Sequence, residues 1–160
     1  METNITVQGS VIVYHASQYR PFETKVDFTP HLKLITSIMG DLVLSNRPRI
    51  IGIEGLAGTG KTGLAKLLKT DGSNVTVIDV CALRNHYVSG PTDISGLFTD
   101  PHATYVIDEL GFADPNCYPV IKHHLDQGGT VVVLVQSKLD ITLDAEITWL
   151  SMDRNGIRAL

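Results

Sequence analysis

The sequence predicts an α/β fold: a three-layer αβα sandwich with a mainly parallel five-stranded core sheet and a small N-terminal β/α extension. Three observations carry that prediction. Short β-branched, apolar runs recur at 49–54, 75–80, 105–107, 130–135 and 146–152, and runs of that kind bounded by turn residues read as strands. Helix-like segments fall between several of them, the alternation that gives a parallel sheet covered on both faces. A glycine-rich stretch, Gly55-Leu56-Ala57-Gly58-Thr59-Gly60-Lys61-Thr62, joins the first of these runs to the first intervening helix. Ligands of such sheets bind at the carboxyl ends of the strands, where this stretch falls.

Along the chain, residues 5–7 and 10–14 read as two strands around Gly9, followed by a polar segment at 17–25. Thr29-Pro30 reads as a helix start, with Thr29 as N-cap and Pro30 at the first helical position. Leu32, Ile35, Ile38 and Leu42 keep helical spacing to about residue 44, and Asn46-Arg47-Pro48 ends the helix. After the glycine stretch, Leu64, Leu67 and Leu68 share one helical face, with Lys66 and Lys69 towards the other. Asp71-Gly72-Ser73-Asn74 predicts a turn into the second core strand. Residues 81–102 hold Gly90-Pro91, Gly96 and Asp100-Pro101, so a long loop with one short helix near 94–98 is expected. A helix over 119–127, stopped by Gly128-Gly129, separates the third strand from the fourth. Asp153-Arg154-Asn155-Gly156 reads as a hairpin turn into residues 157–160. The expected organisation is one domain over 1–160, with 1–48 as an extension packed on a 49–160 core.

Bulk properties narrow the class. A chain of 160 residues with 43% apolar residues can bury a core without disulfides or a structural metal. Cys81 and Cys117 form no CxxC pair and read as reduced thiols. No apolar run approaches a membrane span, and Met1-Glu2-Thr3-Asn4 lacks the features of a signal peptide, so a cytoplasmic protein is expected. The net charge of −4 gives no global footprint for nucleic acid. A local basic surface from Arg47, Arg49, Arg84, Arg154 and Arg158 stays open.

The glycine stretch matches the phosphate-binding pattern G-x-x-x-x-G-K-[ST] at every specified position. Gly55, Gly58 and Gly60 let the backbone curl so that the N–H groups around Thr59 point at phosphate oxygens. Lys61 reaches the β- and γ-phosphates, the Thr62 hydroxyl ligates Mg²⁺, and Gly63 follows at the helix start, where the helix dipole favours an anion. Thr104-Tyr105-Val106-Ile107-Asp108-Glu109 has the form of a Walker B strand, with Asp108 as a second metal residue and Glu109 placed to polarise water. Gln136 ends the fourth strand. If that strand lies between the glycine-loop strand and the Asp108 strand, Gln136 projects near the γ-phosphate and acts with Lys61 and Glu109. The predicted cofactors are ATP and Mg²⁺.

Two rival readings remain. Asp108-Glu109-Leu110-Gly111 and Ser137-Lys138-Leu139-Asp140 imitate GTPase motifs, but Ser137 departs from the base-reading pattern and the interval holds only one helix and one strand. A small-molecule kinase would use Asp79 and Arg84 for an acceptor, yet it lacks an arginine-bearing C-terminal lid here. His123 and His124, adjacent on a helix, point about 100° apart and cannot chelate one metal from one face; they are expected to be surface or partly buried. Trp149 reads as core or interface. Arg84, Arg154 and Arg158 are candidates for an arginine finger across a subunit boundary.

Taken together, the motifs resemble the P-loop NTPases that have an additional strand between Walker A and Walker B and a catalytic glutamate. Residues 57–62 and Val106-Ile107-Asp108-Glu109-Leu110-Gly111 look like AAA+ ATPases of the helicase-loader kind. His123-His124-Leu125-Asp126-Gln127-Gly128-Gly129, an apolar strand and Gln136-Ser137 are similar to FtsK/HerA translocases and Zot-like ATPases. That resemblance spans residue 49 to the C-terminus. It implies ATP hydrolysis coupled to macromolecular transport, assembly or DNA handling. With no C-terminal lid in this chain, a homo-oligomer or a partner protein is expected to complete the site.

Overall fold

The computed structural model describes residues 5–18, 20–71, 74–84 and 89–160. The N-terminal segment forms an antiparallel sheet of β1 (Ile5–Gln8), β2 (Val11–Tyr14) and β3 (Thr24–Asp27), in that order. Gly9 turns the first hairpin with φ +62°, a conformation that side chains resist. The third strand begins at the end of the stretch the sequence presents as polar, and of its four residues only Val26 turns inward. Helix α1 (Thr29–Leu44) follows. Its N-cap position is Phe28 rather than Thr29, and the Asp27 carboxylate accepts the Thr29 N–H at 2.9 Å. The aspartate therefore does the capping from one residue further out.

The main sheet is built from β4 (Ile50–Glu54), β5 (Val75–Asp79), β6 (Thr104–Asp108), β7 (Thr130–Val135), β8 (Thr148–Asp153) and β9 (Gly156–Ala159). Its spatial order is β5-β6-β7-β4-β8-β9. The first five pair in parallel, and β9 returns antiparallel to β8. Placing β7 between β4 and β6 satisfies the condition on which the reading of Gln136 rests. Helix α2 (Lys61–Asp71) follows β4, a single turn α3 (Val80–Leu83) follows β5, and α4 (Tyr118–Asp126) precedes β7. The short helix expected near 94–98 is a 3₁₀ turn at Ser95–Leu97. The expected turn at Gly72-Ser73 and residues 85–88 of the long loop lie outside the described residues, as do Met1-Glu2-Thr3-Asn4 and Tyr19.

Two apolar cores lie on opposite faces of the sheet. One joins Ile12, Tyr14, Phe28, Leu32 and Ile35 of the extension to Ile51, Leu64, Leu67 and Val106. The other joins Ile50, Ile107 and Val133 to Ile94, Leu110 and Ile121. The β4 residues Ile51 and Ile53 face one core and Ile50 the other, all fully buried, as a central parallel strand requires. Trp149 packs on the second core. A Cβ at Gly52 would approach its ring to 2.5 Å, so glycine makes room for the indole. His124 is buried, beyond the partial burial expected: its Nε2 lies 2.9 Å from the Ala103 carbonyl and its ring meets Tyr105 edge-on. His123 is exposed. Cys81 and Cys117 are free thiols, and burial pushes Cys117 up to about 11. Among the described residues no helix is long and apolar enough to cross a membrane.

The turn from β8 into β9 depends on Gly156, which has φ +126° and whose Cβ would overlap the His31 imidazole of α1. The same imidazole accepts the Ile157 N–H through Nδ1 at 3.2 Å. Gly156→Ala should therefore lower unfolding free energy by about 2 kcal/mol, from backbone strain and displacement of His31 together. Chemical denaturation of the two proteins measures this, and equal midpoints would contradict it.

Candidate active site

Every glycine of the loop between β4 and α2 meets a steric demand. Gly58 and Gly60 have φ +81° and +103°. A Cβ on Gly55 would come within 2.7 Å of the Met152 carbonyl, and one on Gly60 within 2.7 Å of the Tyr14 hydroxyl. Gly63 sits in the first turn of α2, and a Cβ there would reach Ile12 at 3.3 Å. The loop is thus held between the β8–β9 hairpin and the N-terminal sheet. Tyr14, 1% exposed, donates its hydroxyl to the Thr59 carbonyl at 2.8 Å. Thr59 in turn donates to the Leu56 carbonyl at 2.8 Å, and the Gly55 N–H donates to Val135 of β7 at 3.0 Å.

Lys61 is 1% exposed. Its ammonium donates to the carbonyls of Gly55 at 2.5 Å and Leu56 at 3.0 Å, and lies 3.9 Å from the Glu109 carboxylate. A buried cation is costly unless it is paired and hydrogen-bonded. Here the partners are the carbonyls of its own loop, so an incoming anion has a fully desolvated charge waiting for it.

Asp108 ends β6, is 2% exposed, and accepts the Thr62 hydroxyl at 2.9 Å. A hydroxyl and a carboxylate oxygen side by side are hard donors. Mg²⁺ takes one or two such protein ligands and fills its shell with water and phosphate oxygens, so the pair fits that ion. Next in the chain, Glu109 occupies the left-handed region at φ 63°, ψ 49°, where non-glycine residues are rare and costly. Its N–H donates to the Leu134 carbonyl at 2.9 Å, and its own carbonyl accepts from Phe112. These bonds hold the strained residue so that its carboxylate turns back towards Lys61.

Lys61, Thr62, Asp108 and Glu109 therefore converge at the carboxyl ends of β4 and β6. Gln136 follows the end of the intervening strand and is exposed. On the far side of Glu109, Cys81 of α3 has its thiol pushed above the ordinary range by burial first, then by Glu109, Asp79 and Asp108. Asp79 spends one oxygen capping α3 through Ala82 N–H at 3.2 Å. Ser137 and Asp140 form a capping box around a 3₁₀ turn, so the segment resembling a guanine-reading motif is used locally.

One contributor escapes the sequence, and another lies in a different place from the one expected. Tyr14 buttresses the loop from a strand 45 residues earlier in the chain, and no local pattern marks which face of β2 it takes. Arg154, a candidate arginine finger across a subunit boundary, carries its guanidinium 5.0 Å over the Tyr14 ring of its own chain and approaches Gly58.

No protein-family model and no curated protein sequence matches the chain. Among solved structures it is similar to the Thermotoga maritima RuvB Holliday junction branch migration motor. That match has TM-score 0.51 and 14% identity, and covers 76% of this chain and 44% of that one. It is also similar to Caenorhabditis elegans PCH-2, with TM-score 0.44 and 14% identity over 78% of this chain and 41% of that one. The chain thus spans less than half the length of each of these two structures. The sheet order and the RuvB likeness give the architecture: a mainly parallel α/β sandwich with a P-loop NTPase-like fold and an N-terminal β extension.

Proposed function

We propose that this protein is a Mg²⁺-dependent ATPase whose hydrolysis drives a macromolecular transport, assembly or DNA-handling step. The observation that carries this reading is the convergence of Lys61, Thr62, Asp108 and Glu109 around one glycine loop. The loop N–H groups and Lys61 hold the phosphate chain, Lys61 exchanging the Gly55 and Leu56 carbonyls for phosphate oxygens. Thr62 and Asp108 hold Mg²⁺, which when bound neutralises phosphate charge. Glu109 accepts a proton from the attacking water and Gln136 senses the γ-phosphate. Nothing covalent forms on the protein; positioning and charge stabilisation carry the rate.

Assembly with further copies or with a partner protein completes the site. Size-exclusion chromatography with ATP and Mg²⁺ should show association, whereas a monomer with full steady-state turnover would contradict that part. The reading itself is tested by phosphate release from ATP and from GTP, with and without single- and double-stranded DNA. Turnover selective for ATP is expected. Since RuvB is a branch migration motor, stimulation by DNA would place the coupled step on nucleic acid.

One observation favours a second reading, a small-molecule kinase. A cavity of about 280 Å³ lined by Cys81, Arg84, Pro91, Thr92 and Phe112 opens beside α3. Turnover that appears only when a metabolite is supplied would shift the assignment to it.

A further inference from the structure

The β8–β9 hairpin brings Arg154 to the loop of its own chain. The guanidinium carbon stands 5.0 Å over the Tyr14 ring, and Nη2 would lie 3.1 Å from a Cβ built on Gly58. Tyr14 in turn donates its hydroxyl to the Thr59 carbonyl, so one aromatic side chain fixes both the loop and the arginine. The other two candidate arginines are placed elsewhere. Arg158 forms an ion pair with the Asp153 carboxylate, and Arg84 lines the cavity beside α3.

We infer that Arg154 is a nucleotide-binding residue acting in cis: its guanidinium contacts the phosphate chain at the Gly58 side of the loop, opposite Lys61, with Tyr14 as its positioning residue. This rests on the nucleotide reading above. Stacking engages the face of a guanidinium, whereas its N–H donors lie in the plane and match phosphate oxygens in pairs. The hairpin is rigid where it matters, because Gly156 and Ile157 are locked against His31 of α1. The fold therefore presents the cation from the sheet's own hairpin. Gly58 itself is required by its φ of +81°, and a side chain there would also press on the Arg154 guanidinium.

The test compares Arg154→Met, which keeps an unbranched apolar cover over Tyr14, with Arg154→Lys, which keeps the charge. ATP and ADP affinities are measured by calorimetric titration with Mg²⁺, beside melting of each nucleotide-free protein. Charge-assisted contacts of this kind predict that Arg154→Met weakens both nucleotides by about tenfold or more, while Arg154→Lys recovers most of that loss. Nucleotide-free melting should stay unchanged, a result that a merely structural arginine would not give. Wild-type affinity in Arg154→Met, or equal losses of affinity and melting temperature in both variants, overturns the inference and leaves the nucleotide site standing. Absence of ATP binding by the wild-type protein overturns both.

Discussion

Glu109→Gln is expected to lower ATP turnover by roughly 10²–10⁴-fold, the range a general base contributes, while ATP affinity stays close to wild type. The substitution keeps the shape of the side chain and the backbone bonds to Leu134 and Phe112 that stabilise its left-handed conformation. It removes only the proton acceptor and the charge facing Lys61 at 3.9 Å. Binding need not suffer, because the phosphate ligands are the loop and Lys61. Steady-state phosphate release and equilibrium titration, run on the same preparation, separate the two quantities. Turnover within a few-fold of wild type would remove Glu109 from the role of base.

The second large effect lies with Lys61. Lys61→Met should weaken ATP by at least about 100-fold, since it deletes a desolvated charge from the anion site. The nucleotide-free protein should be no less stable, because burying an ammonium is costly and a methionine fills much of the same volume. The readout is the ATP-induced rise in melting temperature, which follows ligand concentration over Kd. A wild-type rise that disappears in Lys61→Met supports the assignment; an undiminished rise would mean that the nucleotide binds elsewhere.

Much of the fold was legible because its core strands carry strong local signals. Val131 to Val135 is apolar throughout and β-branched at all but Leu134, and is bounded by Gly129 and Ser137, so a buried strand suits it best. The glycine loop and Asp108-Glu109 were legible for a related reason: phosphate chemistry dictates residue types at fixed spacing. Non-local features were harder to read. Nothing in Thr24-Lys25-Val26-Asp27 announces a strand, since its partner β2 supplies the pairing. Phe28 rather than Thr29 holds the N-cap position because Asp27 reaches the Thr29 N–H, a competition that sequence leaves undecided. Tyr14 and Arg154 meet only through tertiary packing. The loop was visible in the sequence, while the walls that hold it were not.

The most direct measurement of the central claim is a single-turnover experiment with ATP labelled at the γ-phosphate, Mg²⁺ and excess protein, quenched over time. The account predicts that label passes from bound ATP to free inorganic phosphate in the wild-type protein, and that Glu109→Gln holds the label as intact bound ATP. Label that stays in ATP on the wild-type protein, or that leaves at the same rate in Glu109→Gln, would contradict it.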